Sequence, residues 1–182
     1  MKQLKKKLLT LVLSLVMVLG MAVPVLAEDT TTDDTTVNVT VNFTINTVTY
    51  ANDSYSSERA GTLTKVVQAK KSDSLYTVVK EALDNSSNVV SAYQFITVQD
   101  YYDKTVTHQT LNSVTYNNVV YATNSQDSND YYLGAGWTYD GTYTDEEGLD
   151  ASYNTGNYLD SNDVMGEDAV INLTYDGYKY AK

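Results

Sequence analysis

The chain has 182 residues, no cysteine, and 23 acidic against 12 basic residues, a net charge of −11. Without cysteine there are no disulfides and no zinc-thiolate centres, so the fold rests on a buried core. The excess negative charge repels phosphate backbones and anionic headgroups, which excludes nucleic acid and the membrane surface as partners.

Residues 1–27 read as a secretory signal peptide. A basic start with Lys2, Lys5, Lys6 and Lys7 leads into an uncharged apolar run from Leu8 to Leu26 and a small-residue site ending at Ala27. Cleavage after Ala27 and release to the cell exterior are expected, with no cysteine to carry a lipid and no apolar tail for anchoring. Removing that segment leaves 8 basic against 23 acidic residues, a net −15. All 17 tyrosines lie beyond it, and the only proline, Pro24, lies within it.

Residues 28–36, with no apolar side chain, read as a disordered acidic, Thr-rich spacer. A single domain over 37–182 follows. Val37, Val39, Val41, Phe43 and Ile45 alternate with Asn and Thr, the period-2 mark of a half-buried strand. Val48 and Tyr50 then continue on the other parity, which places a bulge near Asn46-Thr47. Ala51 to Thr62 reads as a polar connection, and Leu63 to Ala69 as a second strand. The stretch "SDSLYTVVKEALDNSSN" predicts the one helix, capped by Ser74 or Thr77 and ending at Asn85 to Asn88.

Strands resume at "AYQFITVQ" and at "SVTYNNVVYAT", where Asn117-Asn118 marks a hairpin turn. Polar loops are expected at Asn124 to Asp130 and at Thr144 to Asp150. "TYDG" occurs twice, and both Asp140-Gly141 and Asp176-Gly177 read as tight turns needing positive φ. The last clear strand is Val170 to Tyr175.

The order of strands, the "YTVVKEAL" helix, a hairpin, "GWTYDG", "GED" and "INLTY" resembles a secreted bacterial family of unknown function related to the C-terminal domain of transcobalamin and intrinsic factor. The matching positions are Thr77-Val78, Ala82-Leu83, Gly136-Trp137, Tyr139, Asp140-Gly141 and Gly166-Glu167-Asp168. Departures are the direct succession of Tyr139 by Asp140-Gly141, the inserted Glu167, Leu173 in place of an aromatic residue, and a long loop from Gln99 to Asn112. The resemblance implies an α+β, mostly β fold: a β-grasp-like mixed sheet packed on one short helix. An all-β immunoglobulin-like sandwich is the alternative. In the vitamin carriers this domain closes over a corrinoid held mainly by a separate helical domain. No such domain is present in this sequence, so corrinoid binding does not carry over whole.

Catalytic groups are sparse. His108, the only histidine, sits in a polar run, and Asp145, Glu146 and Glu147 form the densest carboxylate cluster, as acidic loops do. "DSND" at 127–130 and at 160–163 offers oxygen ligands without the spacing of a calcium loop. No catalytic residue, metal ligand or cofactor is therefore assigned. The aromatic residues remain. Trp137 either caps the core or, with Tyr131, Tyr132 and Tyr153, forms an exposed platform. Tyr139 and Tyr143 would then face each other across the Asp140-Gly141 turn. The sequence thus points to a secreted, non-catalytic binding module for a small molecule, glycan or surface protein. Its alternative is an extracellular adhesion or matrix protein assembling through strand edges.

Overall fold

The alternation at the start of the domain builds one long strand, β1 (Thr36–Ala51), whose odd positions from Val37 to Ile45 are all buried. The computed structural model describes residues 35–153 and 158–182. The signal segment, most of the spacer and residues 154–157 lie outside the described residues. The described residues fall in one compact unit, Asp33–Lys182.

β1 pairs antiparallel with β2 (Ser54–Lys70), and their register shifts between Ile45 and Asn46, where the phase slip placed the bulge. The turn between them is only Asn52-Asp53, with φ of 51° and 55°, the paired positive angles of a tight hairpin. The polar connection expected over Ala51 to Thr62 is therefore mostly strand. Its side chains are exposed at a sheet edge, so no apolar alternation marks it.

The helix, α1 (Leu75–Asp84), starts at Ser74, whose hydroxyl accepts the Thr77 N–H at 3.3 Å. It buries Leu75, Val78, Val79, Ala82 and Leu83. At ten residues it is too short to persist alone and is held by that buried face. After it come β3 (Val90–Gln99), β4 (Thr107–Tyr116) and β5 (Val119–Ala122), a small antiparallel sheet. Asn117 and Asn118, with φ of 49° and 64°, make the expected turn between β4 and β5.

β6 (Asn124–Gln126), β7 (Tyr131–Thr144), β8 (Asp150–Ser152), a 3-10 turn (Leu159–Ser161) and β9 (Glu167–Ala181) complete the chain. The large sheet runs β2-β1-β9-β7-β6, with β8 also on β7. Its centre is parallel: Thr40 to Ile45 of β1 pair with Val170 to Tyr175 of β9. One face of this sheet forms the core with α1, β4 and β5. The fold is thus α+β and mostly β, a β-grasp-like mixed sheet on one short helix. The parallel central pair and the helix in the core are not features of an immunoglobulin-like sandwich.

Both Asp-Gly turns are corrected. Asp140-Gly141 lies inside β7, paired with Asn172 and Ile171, and Asp176-Gly177 lies inside β9, paired with Gly136 and Ala135. Neither glycine has positive φ. What each supplies is room, because the ring of Tyr153 lies over Gly141 and that of Tyr55 over Gly177. A Cβ at Gly141 would overlap the Val170 carbonyl and sit 2.9 Å from Tyr153 Cδ2, whereas one at Gly136 would meet nothing closer than 3.6 Å. Gly141→Ala is accordingly expected to destabilise the domain by about 1–3 kcal/mol through overpacking. Gly136→Ala should stay within about 0.5 kcal/mol. Urea unfolding of the two variants checks the contrast.

Candidate functional site

Trp137 points into the core. It is 4% exposed, donates its indole N–H to the Tyr121 carbonyl at 3.0 Å, and meets Phe43 edge-on at 6.4 Å. Tyr139 and Tyr153 are buried on the same side. Tyr139 donates to the Tyr158 carbonyl at 3.0 Å and accepts from Asn162 Nδ2 at 2.7 Å, while Tyr153 donates to the Val164 carbonyl at 2.6 Å. Tyr143, partly buried, lies 4.9 Å from Tyr153. It shares β7 with Tyr139, whose cross-strand partner is Leu173. The exposed platform around Trp137 therefore does not form: its indole and Tyr139 are core, placed there by the odd positions of an unbroken strand, and Tyr153 is core as well, held just past β8 by its bond to the Val164 carbonyl.

Tyr131 and Tyr132, at the other end of β7, do reach the surface. Lys179 Nζ lies 3.8 Å above the Tyr131 ring and Lys182 Nζ 5.8 Å above that of Tyr132, cation–π contacts that fix both rings. They line a polar pocket of about 610 Å³ with Asp53, Asp127 and Ser128. The Ser128 hydroxyl oxygen is buried there without a hydrogen-bond partner. The first "DSND" segment thus borders a pocket. Among the described residues, however, no three His, Asp or Glu side chains are arranged to hold a metal ion.

A second groove, about 670 Å³, escaped the sequence reading. Its floor is the outward face of β7 and β9, with Thr138, Thr174, Tyr178 and Tyr180, and its wall includes Ile96 and Val98 of β3. Tyr178 and Tyr180 stack with centroids 5.9 Å apart and planes 20° apart. The Tyr178 ring lies against Gly134, and its hydroxyl donates to the Asn124 carbonyl at 3.2 Å. Tyr180 pairs across the strands with Tyr132, and the two are 66% and 60% exposed. The signal was "YKY", Tyr178 and Tyr180 on alternate positions of one strand. It went unread because Asp176-Gly177 was taken to end the strand.

His108 lines neither cavity. Its ring stacks on Tyr158 at 4.6 Å, with Nε2 3.2 Å from Asp100 Oδ2 and Nδ1 3.4 Å from Asp160 Oδ1 and 3.3 Å from Ser161 Oγ. Asp160 also accepts the Gln109 backbone N–H at 2.9 Å. Both ring nitrogens are thus engaged, and the residue staples the β3–β4 loop and the 3-10 turn onto β4. The Asp100 carboxyl is held below its usual range, chiefly by the Tyr102 backbone N–H. In the acidic loop, Asp145 accepts the backbone N–H groups of Glu147 at 3.1 Å and Leu149 at 2.8 Å, closing a turn.

Comparison of the chain with family models, with curated proteins and with solved structures gives no match.

The buried phenols set the alkaline limit of the domain. Burial, followed by the neighbouring Tyr50, pushes Tyr175 from 10.0 up to about 12, and burial raises Tyr139 and Tyr153 as well. In the unfolded chain these groups lose protons near pH 10, before the folded protein does. Above that point the folded state holds more protons, so stability falls as pH rises. Urea midpoints should therefore hold steady below pH 10 and decline between about 10 and about 12. Tyr175→Phe should lower stability by about 0.5–1.5 kcal/mol at neutral pH, because Asn124 Nδ2 and the Ala122 carbonyl each lose one hydrogen bond but keep the one between them. It should also make the alkaline decline shallower. A decline of unchanged slope would assign the effect to other groups.

Proposed function

We propose that the protein is a secreted, non-catalytic binding module of the transcobalamin C-terminal-like type, and that it takes its ligand in the groove between the outward face of β7–β9 and β3. The observation that carries this reading is the tyrosine group on the paired ends of β7 and β9, with Tyr132 and Tyr180 exposed and Tyr178 half-buried beside them. A tyrosine ring offers a large contact area with only two rotatable bonds to order. Here the backbone is fixed by β7–β9 pairing, and Tyr178 is further tied by its hydroxyl. Such a surface suits flat-faced ligands, sugars and planar ring systems alike. The net −15 of the chain beyond Ala27 disfavours polyanions. Secretion is supported by the signal-like segment, and the transcobalamin-like type by the order of elements with a parallel central strand pair.

Titration of the protein lacking residues 1–27 with neutral saccharides, a corrinoid and cell-wall fragments tests the reading, with Trp137 fluorescence as one signal because this residue of β7 is among those lining the groove. Tyr180→Ala should weaken whichever ligand binds by about tenfold or more, the loss usual for a central aromatic contact. Unchanged affinity in both Tyr180→Ala and Tyr178→Ala would reject the groove.

One observation favours assembly through strand edges as a second reading. β2 is an edge of 17 residues with no proline and no strand beyond it among the described residues. Light scattering across concentration separates the two, since edge assembly requires mass to grow with concentration.

A further inference from the structure

Beyond the groove, the outward face of the large sheet carries no covering element among the described residues, and its residues form ordered cross-strand rows. One row is Thr62–Thr44–Thr174–Thr138, running over β2, β1, β9 and β7. The adjacent row is Thr64–Asn42–Asn172–Asp140 on the same four strands. The second row is a hydrogen-bonded relay. Thr64 Oγ1 donates to Asn42 Oδ1 at 2.8 Å, Asn42 Nδ2 to Asn172 Oδ1 at 3.0 Å, and Asn172 Nδ2 to Asp140 Oδ1 at 2.8 Å. These bonds fix the orientation of both amides. Each amide spends one of its two N–H donors along the row, and the other remains for a ligand.

From this we infer that the ligand is an extended neutral glycan, stacked on the tyrosines at one end and continuing over the Thr and Asn rows along β9. The inference rests on the reading of the groove as the binding surface and names its ligand class. Three observations carry it. The first is continuity: Tyr180, Tyr178, Asp176, Thr174 and Asn172 are successive outward residues of β9, and Thr174 belongs to both the groove and the Thr row. At ~3.3 Å per residue that path is roughly 26 Å long, the reach of several sugar units rather than of one compact ligand. The second is chemistry. Hydroxyls and fixed amides match the paired donors and acceptors of sugar hydroxyls, while tyrosine faces match the C–H faces of pyranose rings. Protein partners usually need aromatic or arginine anchors at the centre of the contact, and these two rows contain none. The third is charge. The carboxylates on the path and its flanking row are Asp176 and Asp140, and the cation at its tyrosine end, Lys182, sits over the Tyr132 ring. Carboxylates accept hydrogen bonds from sugar hydroxyls but repel uronates, sulfates and phosphates.

The experiment is calorimetric titration of the protein lacking residues 1–27 with cello- and malto-oligosaccharides from disaccharide to octasaccharide, and with oligogalacturonates of matched length. Affinity should rise with length in a neutral series, and the acidic series should bind at least tenfold more weakly. Asn172→Ala should remove most of the gain from length, about tenfold for the longest oligomer, while leaving the disaccharide unchanged. Thr174→Val, which keeps shape and strand propensity, should lower binding of the long oligomers in the same direction if Asn172→Ala compromises folding. Tyr180→Ala should weaken every length. Affinity that is flat with length, or a preference for galacturonates, overturns the extended neutral glycan and leaves the groove standing if Tyr180→Ala still weakens binding. A corrinoid or wall fragment that binds in a Tyr180-dependent way, with no saccharide bound at any length, also overturns the glycan while retaining the groove.

Discussion

The parallel pairing of β1 with β9 is the constraint on which the other features rest. It joins the first and last strands of the domain at the centre of the large sheet, burying Val41, Phe43 and Ile45 beside Ile171, Leu173 and Tyr175. In a chain without disulfides, burial of such side chains, about 1.5–3 kcal/mol each, is the main stabilising contribution. The pairing ends at Ile45–Tyr175, where the β1 register shifts. Beyond that point β9 pairs only with β7, and there Tyr178 and Tyr180 line the groove. The bulge that relieves the strand phase therefore coincides with the opening of the surface.

Tyrosine serves this fold in two ways. Five strand or near-strand glycines lie beneath rings: Gly61 under Tyr116, Gly134 under Tyr178, Gly141 under Tyr153, Gly166 under Tyr143 and Gly177 under Tyr55. A ring laid over a strand glycine restores the surface that the missing side chain would have covered. The hydroxyls then tie carbonyls outside the central strands: Tyr139 to Tyr158 and Tyr153 to Val164 in loops, and Tyr175 to Ala122 and Tyr178 to Asn124 at the β5–β6 junction. Rings fill space inside while phenols anchor backbone between elements, so one residue type does the jobs that apolar residues and cross-links share in other domains.

The elements legible in the sequence were those governed by local rules. The alternation of β1, its phase slip, the Ser74 cap and the Asn117-Asn118 turn all follow from side-chain period or backbone preference over a few residues. The first half of β2 was illegible because an edge strand with both faces exposed has no period to read. Asp140-Gly141 and Asp176-Gly177 misled for a different reason. The same dipeptide serves a tight turn through positive φ or a strand interior through absent bulk, and the deciding rings, Tyr153 and Tyr55, lie 12 and 122 residues away from their glycines. That error also hid the site. With β7 broken at Asp140, Trp137 could belong to an exposed platform, and with β9 ended at Gly177, Tyr178 and Tyr180 had no face. Of the aromatic residues singled out from sequence, Tyr131 and Tyr132 reach a pocket, whereas Trp137, Tyr139 and Tyr153 build the core. The abundance of threonine was plain in the composition, but only the cross-strand register turns it into rows.

The central strand pair has a further consequence when the domain is placed under load. Because β1 and β9 run in the same direction, Thr36 lies at one end of the sheet and Ala181 at the other. A force separating those two residues slides the adjoining strands lengthwise past each other. The backbone bonds over Thr40 to Ile45 and Val170 to Tyr175 then bear tension together, instead of opening in succession like a zipper. The arrangement that closes the core is also the one that resists mechanical extension along the chain.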